Sequence, residues 1–128
     1  MIFLLDTTVL IDALRGRQNR RALLAELVEG GHMLGTAAIN IAEVYAGMRA
    51  GEEARTESLL SNLECYPLTA QVARRAGTLK YESARKGQTL SLAGMIVAAT
   101  ALENGLVLMT DNRKDFAVVR GLEVYPFK

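Results

Sequence analysis

The stretch LAGMIVAATAL, residues 92–102, contains no charged side chain. A helix that is apolar on every side has no face to give to water, so it must sit at the centre of a packed domain. Ser91 before it is a natural N-cap and Gly105 beyond it a natural stop, which predicts a buried helix over Leu92 to Glu103. Ile2 to Leu5 and Leu106 to Met109 are each continuously apolar. Runs of that kind are strands buried on both faces, as in a parallel sheet.

Helical periodicity fills the intervals. A short helix from Thr7 or Thr8 to Leu14, capped by one of those threonines, is ended by Gly16; a second, Asn19 to Glu29, gathers Leu23, Leu24, Leu27 and Val28 on one face. His32 to Gly35 reads as a short strand and Ala37 to Met48 as a helix. Two charged helices follow, Glu52 to Leu63 and Ala70 to Arg85, with the extended stretch Glu64 to Leu68 between them. Leu122 to Tyr125 reads as a last strand. Alternating strands and helices imply an α/β sandwich on a parallel sheet. No linker, repeat or low-complexity stretch divides it, so residues 1–128 are expected to be one domain.

With 128 residues, half of them apolar and 23% charged, the chain can bury a core without disulfides or metal staples. No apolar run is long enough to cross a bilayer, and MIFLLD has no basic segment before its apolar residues, so a cytoplasmic protein away from the membrane is expected. The lone Cys65 reads as a buried, inert thiol. A net charge of +1 names no partner. The charges are segregated, however: Arg15, Arg17, Arg20 and Arg21 crowd together, and Arg74, Arg75, Lys80, Arg85 and Lys86 face one acid, Glu82. Such grouping can make a phosphate-binding face or an ordinary solvated one.

In an open parallel sheet ligands collect beyond the carboxyl ends of the strands. Asp6 ends the first strand; Thr110, Asp111 and Asn112, followed by Asp115, end the strand Leu106 to Met109. Three of the chain's four aspartates lie in these two places. Glu43, in an otherwise apolar helix, needs a partner and can face the same crevice. Carboxylates without His or Cys suit a hard cation such as Mg²⁺ or Mn²⁺. Each acid also has a plainer role, Asp6 as a helix cap and Asp111 as a turn residue. Spacing leaves both readings open.

The segments FLLDTTVLID, INIAEVYAG, TLSLAGMIVAATALENG and LVLMTDNRKDF resemble, in order and separation, the PIN-domain ribonucleases, and most of all the VapC toxins of bacterial toxin–antitoxin pairs. That resemblance implies a three-layer α/β/α sandwich with a mainly parallel sheet, and an acidic pocket holding one or two Mg²⁺ or Mn²⁺ ions. It implies cleavage of single-stranded RNA by metal-activated water, a VapB-type antitoxin as partner, and pairing as a homodimer. Asp6 matches the first acid of the family and Glu43 the second. Asp111 and Asp115 flank Asn112, which stands in the usual place of the fourth acid; Asp111 is read with Asp6 and Glu43 as a metal ligand. Thr7 and Thr110 match supporting hydroxyls, and Arg85, with Arg15 and Lys86, is a candidate guide for the RNA backbone.

The third acid of the family is replaced by Gly94. Weakened activity is therefore expected, the alternative being a silent domain that binds RNA or antitoxin without cutting. The glycine also leaves a bare helix start at Ser91 to Met95 that can take an anion. Two other classes fit poorly. A haloacid-dehalogenase-type phosphatase needs an acid at Thr8, and a phospho-receiver domain needs paired acids and a lysine that are not evident. His32 and Asp12 read as structural or solvated. The apolar residues Tyr45, Met48 and Leu59 to Leu63 are candidates for a protein contact.

Overall fold

A computed structural model describes residues 1–87 and 90–127. β1 (Ile2–Leu5) leads into α1 (Thr7–Leu14) and α2 (Arg20–Glu29), and β2 (Met33–Ala37) into α3 (Ala38–Ala46) and α4 (Glu53–Ser61). β3 (Glu64–Tyr66) is followed by α5 (Ala70–Arg85) and α6 (Leu92–Asn104), and β4 (Val107–Met109) by the short α7 (Arg113–Phe116). The strands form one sheet in the order β3-β2-β1-β4, with every pairing parallel. β1 is central, its Phe3 opposite Leu34 of β2 and Val107 of β4.

Alternate residues of β1 enter different cores. Leu4 packs with Val72 and Ala76 of α5, Met95 and Ala98 of α6, and Phe116 of α7. Phe3 and Leu5 pack on the other face with Val9 and Leu10 of α1 and Leu24 of α2. The result is a three-layer sandwich with one apolar core on each face of the sheet. Double-sided burial explains the uninterrupted apolar run of β1. Leu4, Leu5 and Leu108 are fully buried, each stabilising the fold by about 1.5–3 kcal/mol. As its composition requires, α6 buries Met95 and every residue from Val97 to Ala101.

Several boundaries differ from the sequence reading for local reasons. Asp6 caps α1, the plainer role the sequence already allowed it, and neither threonine does. Leu122 to Tyr125 touches the sheet at a single parallel bridge, Leu108 to Val124. Gly121, at φ +82°, turns the chain just before it, and Pro126 after it has no N–H to extend pairing. Cys65 is exposed, because β3 is an edge strand with little packed over it. Leu59, Leu60 and Leu63 are half-buried against the core beside α1, whereas Tyr45 is exposed. Among the described residues no helix is long and apolar enough to cross a membrane.

Candidate active site

Three strand ends deliver the site. β1 stops at Leu5 and α1 begins at Thr7, so Asp6 stands at the joint beyond the carboxyl edge of the sheet. Its amide donates to Met109 O at 2.9 Å, tying this joint to the end of β4. One carboxylate oxygen, Oδ1, accepts from the Thr7 amide at 2.9 Å, and Oδ2 accepts from Thr110 Oγ1 at 2.7 Å. Thr110 is fully buried and accepts in turn from the Asn112 amide at 3.1 Å.

The end of β2 supplies α3, on which Asn40 and Glu43 are one turn apart and share a face. Asn40 is fully buried and donates through Nδ2 both to Asp6 Oδ1 at 3.1 Å and to Thr7 Oγ1 at 3.0 Å. Thr7 Oγ1 then donates to Glu43 Oε1 at 2.7 Å. A continuous chain of hydrogen bonds thus joins Asn40, Thr7 and Glu43 and is anchored on Asp6. Glu43 is exposed, so the bond from Thr7 orients its carboxylate rather than compensating for the burial that the sequence predicts.

Burial holds the Asp6 carboxyl above its ordinary range; the Thr110 and Thr7 donors pull it down, the Glu43 charge pushes it up, and Asn40 lowers it. Two carboxylates that share one threonine are a repulsive arrangement which a cation relieves.

The cleft around them has a volume of about 440 Å³ and is closed by Ser91, Ala93 and Gly94 of α6, Leu90, and Asn112 and Asp115 from the segment after β4. Among the described residues no Lys, Arg, His or Cys lines it. Ser91 caps α6, its Oγ accepting from the Gly94 amide at 3.0 Å, and the Met95 amide donates to Ser91 O. The Ser91 cap thus takes one of the open amides of the helix start, that of Gly94, while the Met95 bond is the first regular bond of the helix. A Cβ placed on Gly94 would lie 2.7 Å from Leu90 Cδ1 and 2.9 Å from its Cγ. Leu90 fills the space a third acid would use, and Lys80 Nζ fixes its carbonyl at 2.9 Å.

Of the residues singled out from sequence, Asp6, Thr7, Glu43, Gly94, Asn112 and Asp115 line this one cleft, and Thr110 holds Asp6 from behind. Asp111 stands apart. It faces a neighbouring hollow, where Arg20 Nη2 reaches its Oδ1 at 2.5 Å. Arg85 is exposed at the end of α5 with its guanidinium 5.7 Å from the Tyr81 ring centre, and Lys86 lies beside a different depression with Arg120. Arg15 is committed elsewhere: Nε and Nη2 donate to the two Glu52 oxygens at 3.1 and 3.3 Å, and Nη2 donates to Gly47 O. Hydrogen bonds from Arg15 and the Arg49 amide hold the Glu52 carboxyl down at about 2. His32 lies 3.3 Å from the Met1 amino group and edge-on to Phe3, a structural position.

Sequence reasoning missed Asn40, which does leave a trace as the one amide in the apolar run of α3, three residues before Glu43. Arg20 stood out only as one of a basic cluster; its pairing with Asp111 leaves no sequence signal, because the two are 91 residues apart.

Asp6 and Glu43 offer only oxygen donors in a cleft that no cationic side chain lines among the described residues, with Asp115 also on its wall. That donor set fits one hard divalent ion that keeps part of its water shell. Among the described residues no three acids, histidines or cysteines are close enough together to enclose a metal by themselves.

Residues 3–122 match the PIN domain family model. Over 122 residues the chain is 32% identical to Ribonuclease VapC19 of Mycobacterium tuberculosis, covering 94% of this chain and 96% of that one. Ribonuclease VapC10 of the same organism is also 32% identical, with 95% and 91% covered. The toxin–antitoxin complex from Klebsiella pneumoniae superposes with a TM-score of 0.78 at 31% identity over 98% of both chains. VapBC2 from Rickettsia felis, solved bound to a DNA fragment from their promoter, shares the fold across 100% of both chains with a TM-score of 0.88 at 22% identity. The chain belongs to the PIN-domain family and, within it, to the VapC ribonucleases.

Proposed function

We propose that this chain is the toxin of a VapBC-type pair, an endoribonuclease that cuts single-stranded RNA at the Asp6–Glu43 cleft with the help of Mg²⁺ or Mn²⁺. The observation that carries the proposal is the hydrogen-bonded set Asp6, Thr7, Asn40 and Glu43, assembled from distant segments at the carboxyl end of a parallel sheet. Asp6 and Glu43 are the direct ligands and Asp115 acts from the opposite wall. A divalent ion there supplies positive charge beside the scissile phosphate and lowers the pKa of nearby water.

The chain's own residues set the geometry. Three donors fix the Asp6 carboxylate in one orientation, and Thr7, itself held by Asn40, fixes that of Glu43. Preorganisation of this kind removes reorganisation cost at the moment of reaction. Gly94 and Leu90 present an apolar wall where the family has its third acid, so cation capture is weak and turnover slow. The VapBC complexes among its structural relatives support a VapB-type antitoxin as partner, and pairing as a homodimer is part of the same reading.

The test is incubation of a labelled single-stranded RNA with the purified chain in Mg²⁺, Mn²⁺ or EDTA. Cleavage that leaves a 5′-phosphate, needs the cation and is faster in Mn²⁺ is expected. Unchanged RNA at millimolar Mn²⁺, with antitoxin binding intact, would instead make this a silent PIN domain.

A further inference from the structure

A second hollow, of about 650 Å³, adjoins the acid cleft: Thr8 lines both, and Thr110 lines the hollow while holding Asp6 with its hydroxyl. Its charge is opposite. Arg17, Arg20 and Arg113 outnumber Asp12 and Asp111 in its wall, whereas Asp6, Glu43 and Asp115 line the cleft. Ile11 and Phe127 add an apolar surface.

The arginines are not equivalent. Arg20 is built into the wall, 13% exposed, with its guanidinium 3.8 Å from the Phe127 ring centre and its Nη2 on Asp111. Arg17 and Arg113 are exposed, and among the described residues no carboxylate pairs with either; Arg113 Nη1 donates to Phe127 O at 3.3 Å, which leaves its other donors for a phosphate. The turn that brings Arg17 and Arg20 to one hollow holds Gln18 and Asn19 at φ +56° and +55°. Asn19 tolerates that left-handed conformation, but Gln18 bears a cost of roughly 1–2 kcal/mol, which the fold sustains.

We propose that this hollow binds the nucleotide next to the scissile linkage, with Arg17 and Arg113 on its flanking phosphates and Ile11 and Phe127 against its base. The inference rests on the nuclease reading and adds where the strand runs. Guanidinium groups match phosphate oxygens in geometry as well as charge, and an apolar, aromatic wall accepts any base face. The volume lies in the range of small-ligand sites. An RNA strand crossing the anionic cleft needs such a cationic anchor immediately beside it.

The test is fluorescence anisotropy of a fluorescein-labelled single-stranded RNA octamer with the full chain in EDTA, over a series of KCl concentrations. Arg17→Ala/Arg113→Ala should bind about tenfold more weakly and lose about 1.4 from the slope of log affinity against log salt, roughly 0.7 per phosphate contact. Arg17→Lys/Arg113→Lys should keep most of the slope. Both pairs lie on the surface, and an unchanged Tm confirms that each folds. Wild-type affinity and slope in the alanine pair, with RNA still cut by the wild type, overturns this proposal alone. Displacement of the RNA by a hexaglutamate peptide as effectively as by unlabelled RNA would make the hollow an acidic-peptide site and also overturn it. A wild type that neither binds nor cuts RNA overturns the nuclease reading with it.

Discussion

Gly94→Asp restores the acid that this cleft lacks, and the structure says what the change must overcome. The new Cβ would sit 2.7 Å from Leu90 Cδ1 and 3.4 Å from Ser91 Oγ. Leu90 must therefore swing out of its half-buried seat against the α5–α6 core. Replacing a helical glycine by aspartate gains about 0.3 kcal/mol, and an acid in the first helical turn about 0.3–1 kcal/mol. Overpacking costs about 1–3 kcal/mol, and a third carboxylate near Asp6 and Glu43 adds repulsion. Without cation the variant should lose about 1 kcal/mol, a fall in Tm of about 4 °C. With saturating Mn²⁺ the order should reverse. A tenfold tighter site adds about 1.4 kcal/mol through mass action, and RNA cleavage should rise at least as much. Adding Leu90→Ala removes the collision and should enlarge both effects. The assay is thermal unfolding with and without Mn²⁺, alongside cleavage of one RNA. Equal Mn²⁺-induced shifts and equal rates in the wild type, the single variant and the double variant would refute the reasoning.

Three further outcomes follow from the same geometry. Asn40→Ala leaves Asp6 and Thr7 each short of a buried donor; a loss of about 1–3 kcal/mol in urea unfolding is expected, with Mn²⁺ binding weakened at the same time. Burial raises the Asp6 pKa on folding, so the folded chain holds that proton more tightly than the unfolded one, and stability falls as pH rises from the ordinary carboxylate range through the raised value. Asp6→Asn should accordingly raise the Tm near neutral pH and flatten that limb, while abolishing cleavage. Glu52 has the opposite sign. Held down at about 2 against a usual 4.5, it contributes stability above pH 4.5 that is lost as pH falls toward 2; Glu52→Gln should shrink this acid limb, as followed by circular dichroism.

Much of the fold was legible because burial writes itself into composition. An all-round apolar α6 and two unbroken apolar strands leave few arrangements other than a sheet covered on both faces. α7 was not legible: one turn of RKDF has no periodicity to detect. The candidate site divides along a similar line. Asp6 and Glu43 stood out as acids in apolar surroundings, where a charge needs a reason. Asp111 looked the equal of Asp6 by strand position, yet its fate was decided by Arg20, a partner that only the folded chain brings near. Leu90 carried no signal as a single apolar residue, although its side chain decides what position 94 can hold. Arg15 and Arg85 likewise read as free cations, and one of them proved to be engaged by a buried glutamate.

Everything functional depends on Asp6 and Glu43 jointly recruiting a hard cation. Calorimetric titration of Mn²⁺ into the purified chain and into Asp6→Asn measures this without any RNA. One ion bound per chain by the wild type, with binding lost in the variant, is the expected result. Isotherms that coincide for the two proteins would contradict it.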